Sequence, residues 1–497
     1  MFYSHIFDNH LVKSRGFHIN KNKNNQLFKV MAIFGSESVV KLIVGILRAK
    51  VIAVLLGPLG VGLSGILSNL SVQASTLSIM GMDASTLRKV AEKKEDKEYL
   101  ANLRVALILM TLLLGFIGGL ILFIFSKPIS EALLGASDND HIISLIGIAV
   151  LLNILFRVQS NFLNGLRLIK QQVLVGLLGS ILGAVASIII AYLMGIDGVV
   201  YYIISYEASI ALLSSYFLYR VRLPKINVKL AFKIGVEFVK STFSFGLANM
   251  SAVLFTGFIF LWLRSVITTN LGGEELGYFQ VGWVISSLYI GLVLVTLTKD
   301  YYPKLIKFFA DGNPVNQIVN DQLFFVMLLA APMLMFIITF TNEIIPILYS
   351  NEFLASVNFV KLMAVAAFLK VVAEVLAMTW MAKSEIRVIY FDTAVFNIVL
   401  LVQSIVFINY CGLIGIGIAF LSSYIIKIIY ALFLVNRYFT LKLDLRNFFF
   451  SGAIFSILLF STYISIADWS SAFLMNLFLF GLVCVASVIH LFKFRKG

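Results

Sequence analysis

Apolar residues along the chain are grouped in stretches of about 20, and short polar segments separate these stretches. A stretch of that length crosses the hydrocarbon core of a bilayer when it forms an α-helix. About fourteen such stretches predict an all-α integral membrane protein with the same number of transmembrane helices. They lie near residues 30–55, 60–82, 105–126, 142–164, 173–194, 199–219, 242–266, 277–298, 323–341, 357–381, 388–410, 413–435, 448–467 and 472–492.

The composition agrees with a membrane protein. Of the 497 residues, 60% are hydrophobic and 13% are charged, whereas water-soluble proteins carry about 25% charged residues. The first 29 residues are polar and lack the apolar segment of a signal peptide, so we expect the first span to be retained. Cys411 and Cys484 stand far apart in apolar surroundings, and no disulfide framework is indicated.

Basic residues are concentrated in alternate loops. They include Arg88, Lys89, Lys93, Lys94, Lys97, Arg104, Arg167, Lys170, Arg220, Arg222, Lys225, Lys229, Lys299, Lys304, Lys307, Lys383, Arg387, Arg437, Lys442 and Arg446. The intervening loops carry Lys127 as their one basic residue, among several acidic residues. By the positive-inside rule, both termini are cytoplasmic and the number of spans is even. The net charge of +14 is therefore a topology signal, and it does not indicate binding to nucleic acid.

The sequence offers little for catalysis. The loops on the acidic side are short, so no extracytoplasmic domain is available to carry an acid and a base. A Walker A motif, HExxH and CxxC are all absent, and three of the five histidines lie in the N-terminal tail. We therefore predict a protein that is not an enzyme, with no metal and no cofactor.

The chain carries an internal repeat. Gly60 and Gly277 stand 217 positions apart, and the same offset separates Gly195 from Gly412 and Arg220 from Arg437. Two parallel six-helix halves are typical of transporters that move one bundle against the other. The predicted division is a cytoplasmic tail at 1–29, a first bundle at 30–220, a basic cytoplasmic linker at 221–241, a second bundle at 242–437 and an additional helix pair at 448–492.

Several spans contain charged residues. An intramembrane charge costs about 2.5–3.5 kcal/mol or more and normally faces water or a partner. Glu37, Lys41 and Arg48 fall on one face of the first helix, at about 100° per residue. Lys41 with Glu37 and Lys370 with Glu374 have the i,i+4 spacing of pairs that can neutralise each other. We predict that Arg48, Arg157, Lys370 and Glu374 face a central cavity.

Basic residues outnumber acidic ones at membrane depth. The basic set is Lys41, Arg48, Lys50, Arg157, Arg264, Lys361, Lys370 and Lys427, and the acidic set is Glu37, Asp83, Glu207, Glu374 and Asp392. A cationic cavity would suit an anionic head group such as a diphosphate, which Arg and Lys side chains bind well. An exporter of cationic drugs would need the opposite charge.

Five segments resemble a known family. They are GPLGVGL after the first span, GMDASTLRKVAE, NGLRLIKQQVLVGLLGSILG, PKLIK and LKVVAEVLAMTWMAKSEIR. These segments resemble the O-antigen translocase and lipid III flippase branch of the multidrug/oligosaccharidyl-lipid/polysaccharide exporter superfamily. The similarity runs from about residue 30 to residue 437.

The resemblance implies a flippase in the bacterial inner membrane. Such a protein moves an undecaprenyl-diphosphate-linked oligosaccharide, here an O-antigen or a related surface polysaccharide unit, from the cytoplasmic to the periplasmic leaflet by alternating access. The basic residues matching the family pattern are Lys41, Lys50, Lys307 and Lys370 as diphosphate ligands, with Arg88, Arg167, Lys383 and Arg387 in the cytoplasmic loops and gate. Arg48, Arg157 and Glu374 are predicted from their depth in the membrane alone.

Two departures from the family matter. Ser287 stands where some relatives carry an acidic residue, which puts proton coupling at that position in doubt. The helix pair at 448–492 is absent from twelve-span members. This pair is interpreted as peripheral packing, with a lipid-facing groove wall or a contact with polysaccharide polymerisation proteins as alternatives.

Neutral polar and aromatic side chains are the candidates for binding the sugars. These are Asn153, Asn161, Gln280 and Trp283, although interhelical hydrogen bonding explains any one of them equally well. Two other functions stay open, namely a multidrug or metabolite antiporter of the same fold and a non-transporting membrane subunit of a polysaccharide assembly complex.

Overall fold

The computed structural model describes residues 21–79, 81–439, 442, 444–467 and 469–496. Most of the predicted cytoplasmic tail therefore lies outside the described residues. The described part is almost entirely helical and contains no strand. Its helices are α1 (Lys21–Ile79), α2 (Met82–Glu92), α3 (Lys97–Ile124), α4 (Ser126–Leu134), α5 (Asp140–Gly165), α6 (Ile169–Met194), α7 (Val199–Tyr219), α8 (Val228–Leu271), α9 (Gly273–Thr296), α10 (Tyr302–Ala310), α11 (Asn316–Leu348), α12 (Val357–Ala382), α13 (Ile386–Phe439), α14 (Leu445–Ile466) and α15 (Ala472–Lys496). Short 3₁₀ turns lie at Ser137–Asn139, Gly195–Gly198 and Asn351–Ser356, and a π-helical turn lies at Leu297–Tyr301.

The predicted all-α membrane architecture is confirmed. Eight described segments are long and apolar enough to cross a membrane, and each predicted span overlaps a helix. Helix α1 holds two predicted spans, because its backbone leaves helical values at Gly57 (φ 60°, ψ −169°). Pro58 follows and cannot supply the next helical N–H donor. Helix α13 likewise holds two spans around Gly412. The exact number of spans stays a prediction.

The helices pack in two groups along the chain. In the first group α1 packs against α5 and α6, while α3 packs against α5 and α6 against α7. In the second group α12 contacts α9, α11 and α13 and is buried along nearly its whole length. Helices α14 and α15 pack on α11. Buried polar contacts hold this last pair, since Ser461 Oγ donates to Asn476 Oδ1 (2.7 Å).

The same backbone details recur 217 positions apart. Gly195 has φ 60° and ψ −141°, and Gly412 has φ 55° and ψ −134°. Arg167 (φ 59°) and Ser384 (φ 58°) are the non-glycine residues with positive φ in the described part of the chain. Such conformations are uncommon outside glycine, so the same backbone turn recurs at the offset seen in the sequence. The division into two bundles stays a prediction.

The two groups are in close contact at the end of the molecule where Gly57 and Gly272 lie. A Cβ atom added at Gly62 would stand 2.6 Å from the Gly273 carbonyl oxygen and 2.7 Å from the Gly277 nitrogen. A Cβ atom added at Gly277 would collide with the Pro58 carbonyl. Because neither glycine has a side chain, α1 and α9 approach backbone to backbone here. This contact lies at the end that is predicted to be periplasmic.

Candidate functional site

Two polar cavities and one apolar cleft adjoin one another between the two helix groups. Cavity 1 has a volume of about 360 Å³ and is lined mainly by α1, α6, α7 and α9. Cavity 2 has a volume of about 530 Å³ and is lined by α1, α8, α9, α12 and α13. The apolar cleft has a volume of about 320 Å³ and lies between α1, α9 and α11.

The charged residues that line cavity 1 are Lys41 and Arg48. The Arg48 guanidinium lies over the Tyr206 ring, 4.3 Å from its centroid, a geometry that favours a cation. Lys41 Nζ lies 2.5 Å from Glu37 Oε1, so the predicted i,i+4 pair forms. The acidic partner of Lys41 stands outside the lining, and the cavity surface itself is basic.

The charges of cavity 2 form a partly neutralised group. Lys427 Nζ lies 3.4 Å from Asp392 Oδ2 and 3.7 Å from Glu374 Oε1, and the Tyr430 hydroxyl donates to Asp392 Oδ1 (2.7 Å). Glu374 therefore forms its ion pair with Lys427 on α13. The i,i+4 spacing along α12 had predicted Lys370 as its partner. The Lys370 ammonium lies instead over the Trp283 ring, 5.8 Å from the centroid.

Arg264 and Gln280 separate the two cavities. Arg264 lines cavity 2 and Gln280 lines cavity 1, and Arg264 Nη2 donates to Gln280 Oε1 at 3.0 Å. Arg264 is only 3% exposed, and its guanidinium also lies 5.5 Å from the centre of the Phe279 ring. The two cavities are therefore neighbours on either side of one side-chain pair.

The apolar cleft is continuous with cavity 1. Five residues line both spaces, namely Lys41, Gly45, Ala49, Val284 and Tyr349. The rest of the cleft surface is aliphatic and comes from Leu42, Ile46, Ile285 and Leu348. A molecule with an apolar chain joined to an anionic group would find a matching surface for each part.

Three predicted residues in the first helix group lie outside both cavity linings. Arg157 donates to Asp83 Oδ2 (2.5 Å) and to Thr76 Oγ1 (3.2 Å), which connects α5 to α2 and α1. Asn153 Nδ2 donates to Glu207 Oε2 (3.2 Å). Asn161 is half-buried on α5. The Asn153 bond is the kind of interhelical contact that the sequence left open as an alternative to sugar binding.

The remaining predicted residues also lie away from the cavities. Lys50 Nζ donates to the Pro346 carbonyl (2.5 Å), joining α1 to α11. Lys307 is exposed on α10. The residues predicted to lie in the cytoplasmic loops and gate are all exposed, at the opposite end of the helices from Lys50. They are Arg88, Arg167, Lys383 and Arg387. A hydrogen bond from Arg88 lowers the pKa of Glu92.

Three amide side chains of cavity 2 were missed by sequence reasoning. Asn69 and Gln73 on α1 and Asn397 on α13 line this cavity. The sequence does contain a signal for them, because each is an amide side chain within an apolar span. Asn153 was chosen as a candidate by the same criterion. Asn69 and Gln73 also share a helix face at i,i+4 spacing.

Comparison with known proteins gives a consistent family and fold. Residues 51–358, more than half of the chain, match the family described as polysaccharide biosynthesis protein. The lipid III flippase of Escherichia coli (strain K12) is 23% identical over 396 residues, covering 79% of this chain and 94% of that protein.

Solved structures share the fold. The lipid II flippase MurJ in an inward closed conformation superposes with a TM-score of 0.67 at 14% identity, covering 95% of this chain and 100% of that one. An inward-facing multidrug resistance MATE family transporter of the MOP superfamily also gives 0.67, at 17% identity, covering 80% of this chain and 98% of that one. The resemblance to this exporter superfamily is thereby confirmed, and the chain belongs to the polysaccharide biosynthesis protein family.

Proposed function

We propose that this protein is a flippase for an undecaprenyl-diphosphate-linked oligosaccharide. The single observation that carries the proposal is the continuity of the apolar cleft with cavity 1, whose charged lining residues are Lys41 and Arg48. The lipid III flippase of Escherichia coli, 23% identical to this chain, adds support.

The order of the three spaces matches the order of groups in such a lipid. The polyprenyl chain is apolar and takes the aliphatic cleft, where Leu42, Ile46 and Ile285 lie. The diphosphate follows directly and binds Arg48 and Lys41, because a guanidinium and an ammonium are strong partners for phosphate oxygens. The oligosaccharide then extends past Gln280 into cavity 2.

During the transport cycle, the cavities open in turn to the cytoplasmic side and to the periplasmic side of the membrane. The glycine contact between α1 and α9 closes one end, and positive-inside loops assign that end to the periplasm. Loading then occurs from the cytoplasmic leaflet, and separation of Gly62 from Gly277 releases the head group into the periplasm. Both termini are cytoplasmic and the membrane is the bacterial inner membrane. The translocated oligosaccharide is an O-antigen or a related surface polysaccharide repeat unit, which polymerase or other assembly proteins consume.

The test is transport by the purified protein in proteoliposomes. A fluorescent undecaprenyl-diphosphate oligosaccharide is incorporated, and a membrane-impermeant quencher reports its leaflet. We expect protein-dependent translocation in wild type. We expect translocation to be slowed roughly tenfold or more in Arg48→Gln, since a charge-assisted hydrogen bond is lost.

Arg222→Gln is the matched control. It removes the same charge from an exposed loop position, so translocation should continue at the wild-type rate. Equal rates in wild type and Arg48→Gln would refute the role of cavity 1. Absence of translocation for every lipid-linked oligosaccharide tested would instead favour an antiporter or an assembly subunit.

A further inference from the structure

Cavity 2 contains buried polar atoms that have no partner within the described part of the chain. Three are amide oxygens, Asn69 Oδ1, Gln73 Oε1 and Asn397 Oδ1, and one is the Nε–H donor of Arg264. Gln73, Arg264 and Asn397 are 9%, 3% and 1% exposed. Buried polar groups normally have hydrogen-bond partners in the protein or in ordered water, and this concentration around one cavity would be satisfied by a ligand that carries several donors.

The amide orientation of Asn397 is set by its surroundings. Its Nδ2 donates to Thr256 Oγ1 (3.0 Å) and to the Thr393 carbonyl (2.7 Å). The oxygen is therefore the atom left over, and Asn397 needs a donor from the ligand. With Asn69 and Gln73, cavity 2 presents three carbonyl oxygens that need donors.

This requirement limits the chemistry of the ligand. A phosphate or diphosphate supplies acceptors and, when fully ionised, no donors, so it leaves the three amide oxygens unpaired. An acyl or polyprenyl chain supplies neither. Ring hydroxyl groups both donate and accept, and a sugar residue carries several of them. The polar atoms of cavity 2 therefore match a sugar.

The charges of cavity 2 add a second requirement. Its lining has three basic residues, Arg264, Lys370 and Lys427, and two acidic residues, Glu374 and Asp392. Lys427 forms ion pairs with both acids. Lys370 has the Trp283 ring beside its ammonium, and Arg264 has Gln280 and Phe279. One positive charge is left in excess, which a single carboxylate would neutralise.

We infer that cavity 2 is a subsite for an acidic sugar, a residue with ring hydroxyls and one carboxylate. The carboxylate binds Lys370 and the Nε–H of Arg264, while hydroxyl groups donate to Asn69, Gln73 and Asn397. The inference rests on the proposed function and narrows its substrate class to oligosaccharides that contain such a residue.

The first test compares two polyprenyl-diphosphate probes of equal length in proteoliposomes. One ends in glucuronic acid and the other ends in glucose. We expect wild type to move the acidic probe roughly tenfold faster, because a charge-assisted contact is gained. Lys370→Gln should slow the acidic probe far more than the neutral probe and so remove this preference. Lys229→Gln, an exposed lysine on α8, is the matched control and should keep the preference.

The second test measures binding without transport. The free oligosaccharides, with no lipid and no diphosphate, are titrated into the purified protein while tryptophan fluorescence is recorded. Binding of the acidic sugar should change the emission of Trp283, and Trp283→Phe should abolish the change. Asn397→Leu should weaken binding of the acidic sugar.

The outcomes separate this inference from the proposed function. Equal transport of both probes, with Lys370→Gln slowing both, would assign Lys370 to the diphosphate and overturn the inference alone. Absence of any fluorescence change with either sugar would mean that cavity 2 holds water only, which also overturns it. Binding of the acidic sugar without transport of either probe would support the subsite and refute the flippase.

Discussion

Arg264 Nη2 donates to Gln280 Oε1 across 3.0 Å, and this one bond stands between the cavity that holds Arg48 and the cavity that holds Lys370. Its two residues lie on successive helices, α8 and α9, and each faces a different space. The bond orients the Arg264 guanidinium, whose Nε has no partner among the described residues. The pair therefore sets the geometry on both sides of the boundary.

Replacing Gln280 with Leu should affect both stability and transport. Arg264 would lose its acceptor while staying buried, which costs about 1–3 kcal/mol of unfolding free energy. Thermal unfolding in detergent and translocation in proteoliposomes measure the two effects. Gln403→Leu is the matched control, because Gln403 accepts hydrogen bonds from Ser422 and Ser423 on α13. The Gln403→Leu variant should lose a similar amount of stability and keep transport. Loss of transport in both variants would show that Gln280→Leu impairs transport only by destabilising the protein.

Tyr206→Leu should weaken diphosphate binding less than Arg48→Gln does. The Tyr206 ring supports the Arg48 guanidinium at 4.3 Å, and such a contact contributes about 0.5–2 kcal/mol. Titration of a water-soluble diphosphate ester into the purified protein gives the affinities. Tyr216→Leu is the comparison, because Tyr216 supports the exposed Arg220 at 4.7 Å. Equal affinities in wild type and Tyr206→Leu would contradict a role for the ring.

Lys427→Leu should be strongly destabilising. The change leaves the buried Asp392 and the half-buried Glu374 without their cation, and breaking a buried pair in this way costs about 3–5 kcal/mol. The triple variant Lys427→Leu, Glu374→Gln, Asp392→Asn removes all three charges and should recover most of the lost stability. Thermal unfolding of both variants checks the prediction. A single variant as stable as wild type would show that the ion pairs contribute nothing.

Arg157 and Asp83 should behave as a structural pair. Arg157→Gln removes the contact of 2.5 Å between α5 and α2 and should lower the unfolding temperature. Restoring a pair with the exchanged charges, Arg157→Asp with Asp83→Arg, should return part of the stability. Transport should follow the amount of folded protein. Loss of diphosphate affinity in a fully folded Arg157→Gln protein would place this residue in the binding path instead.

Gly277→Val should force α1 and α9 apart at the closed end. The new side chain collides with the Pro58 carbonyl, so the variant should favour the conformation open at that end. The reporter is Ser64→Cys, which places a thiol in cavity 1. Cys411 and Cys484 are replaced by Ser, so that this thiol reacts alone. Its reaction with a membrane-impermeant thiol reagent, added from the periplasmic side, measures how open that end is. Gly481→Val is the control, because a Cβ there meets nothing within 4 Å. Equal labelling of this reporter chain with and without the Gly277→Val change would contradict the gate.

The repeat shows what a sequence offset predicts about local geometry. The 217-residue offset was visible from glycines and arginines alone. It also relates Arg167 to Ser384, which share neither size nor charge, and both end a helix with positive φ. In each case the following N–H bonds a carbonyl five residues back, Leu168 to Leu163 (3.0 Å) and Glu385 to Trp380 (2.9 Å). Side-chain identity hid this pair, because the property that the two positions share is a backbone turn.

The sequence by itself determined the helical membrane fold, the breaks between spans near residues 55–60 and 410–413, and the presence of basic residues at depth, because hydrophobic length and the conformational freedom of glycine act locally along the chain. The tertiary structure decided which charges meet. Glu374 reaches Lys427 on another helix, and Asn69 and Asn397 share a cavity although 328 positions separate them. Such partners depend on the rotation and packing of helices against one another, and a helix in an apolar environment carries little periodic signal to predict that rotation.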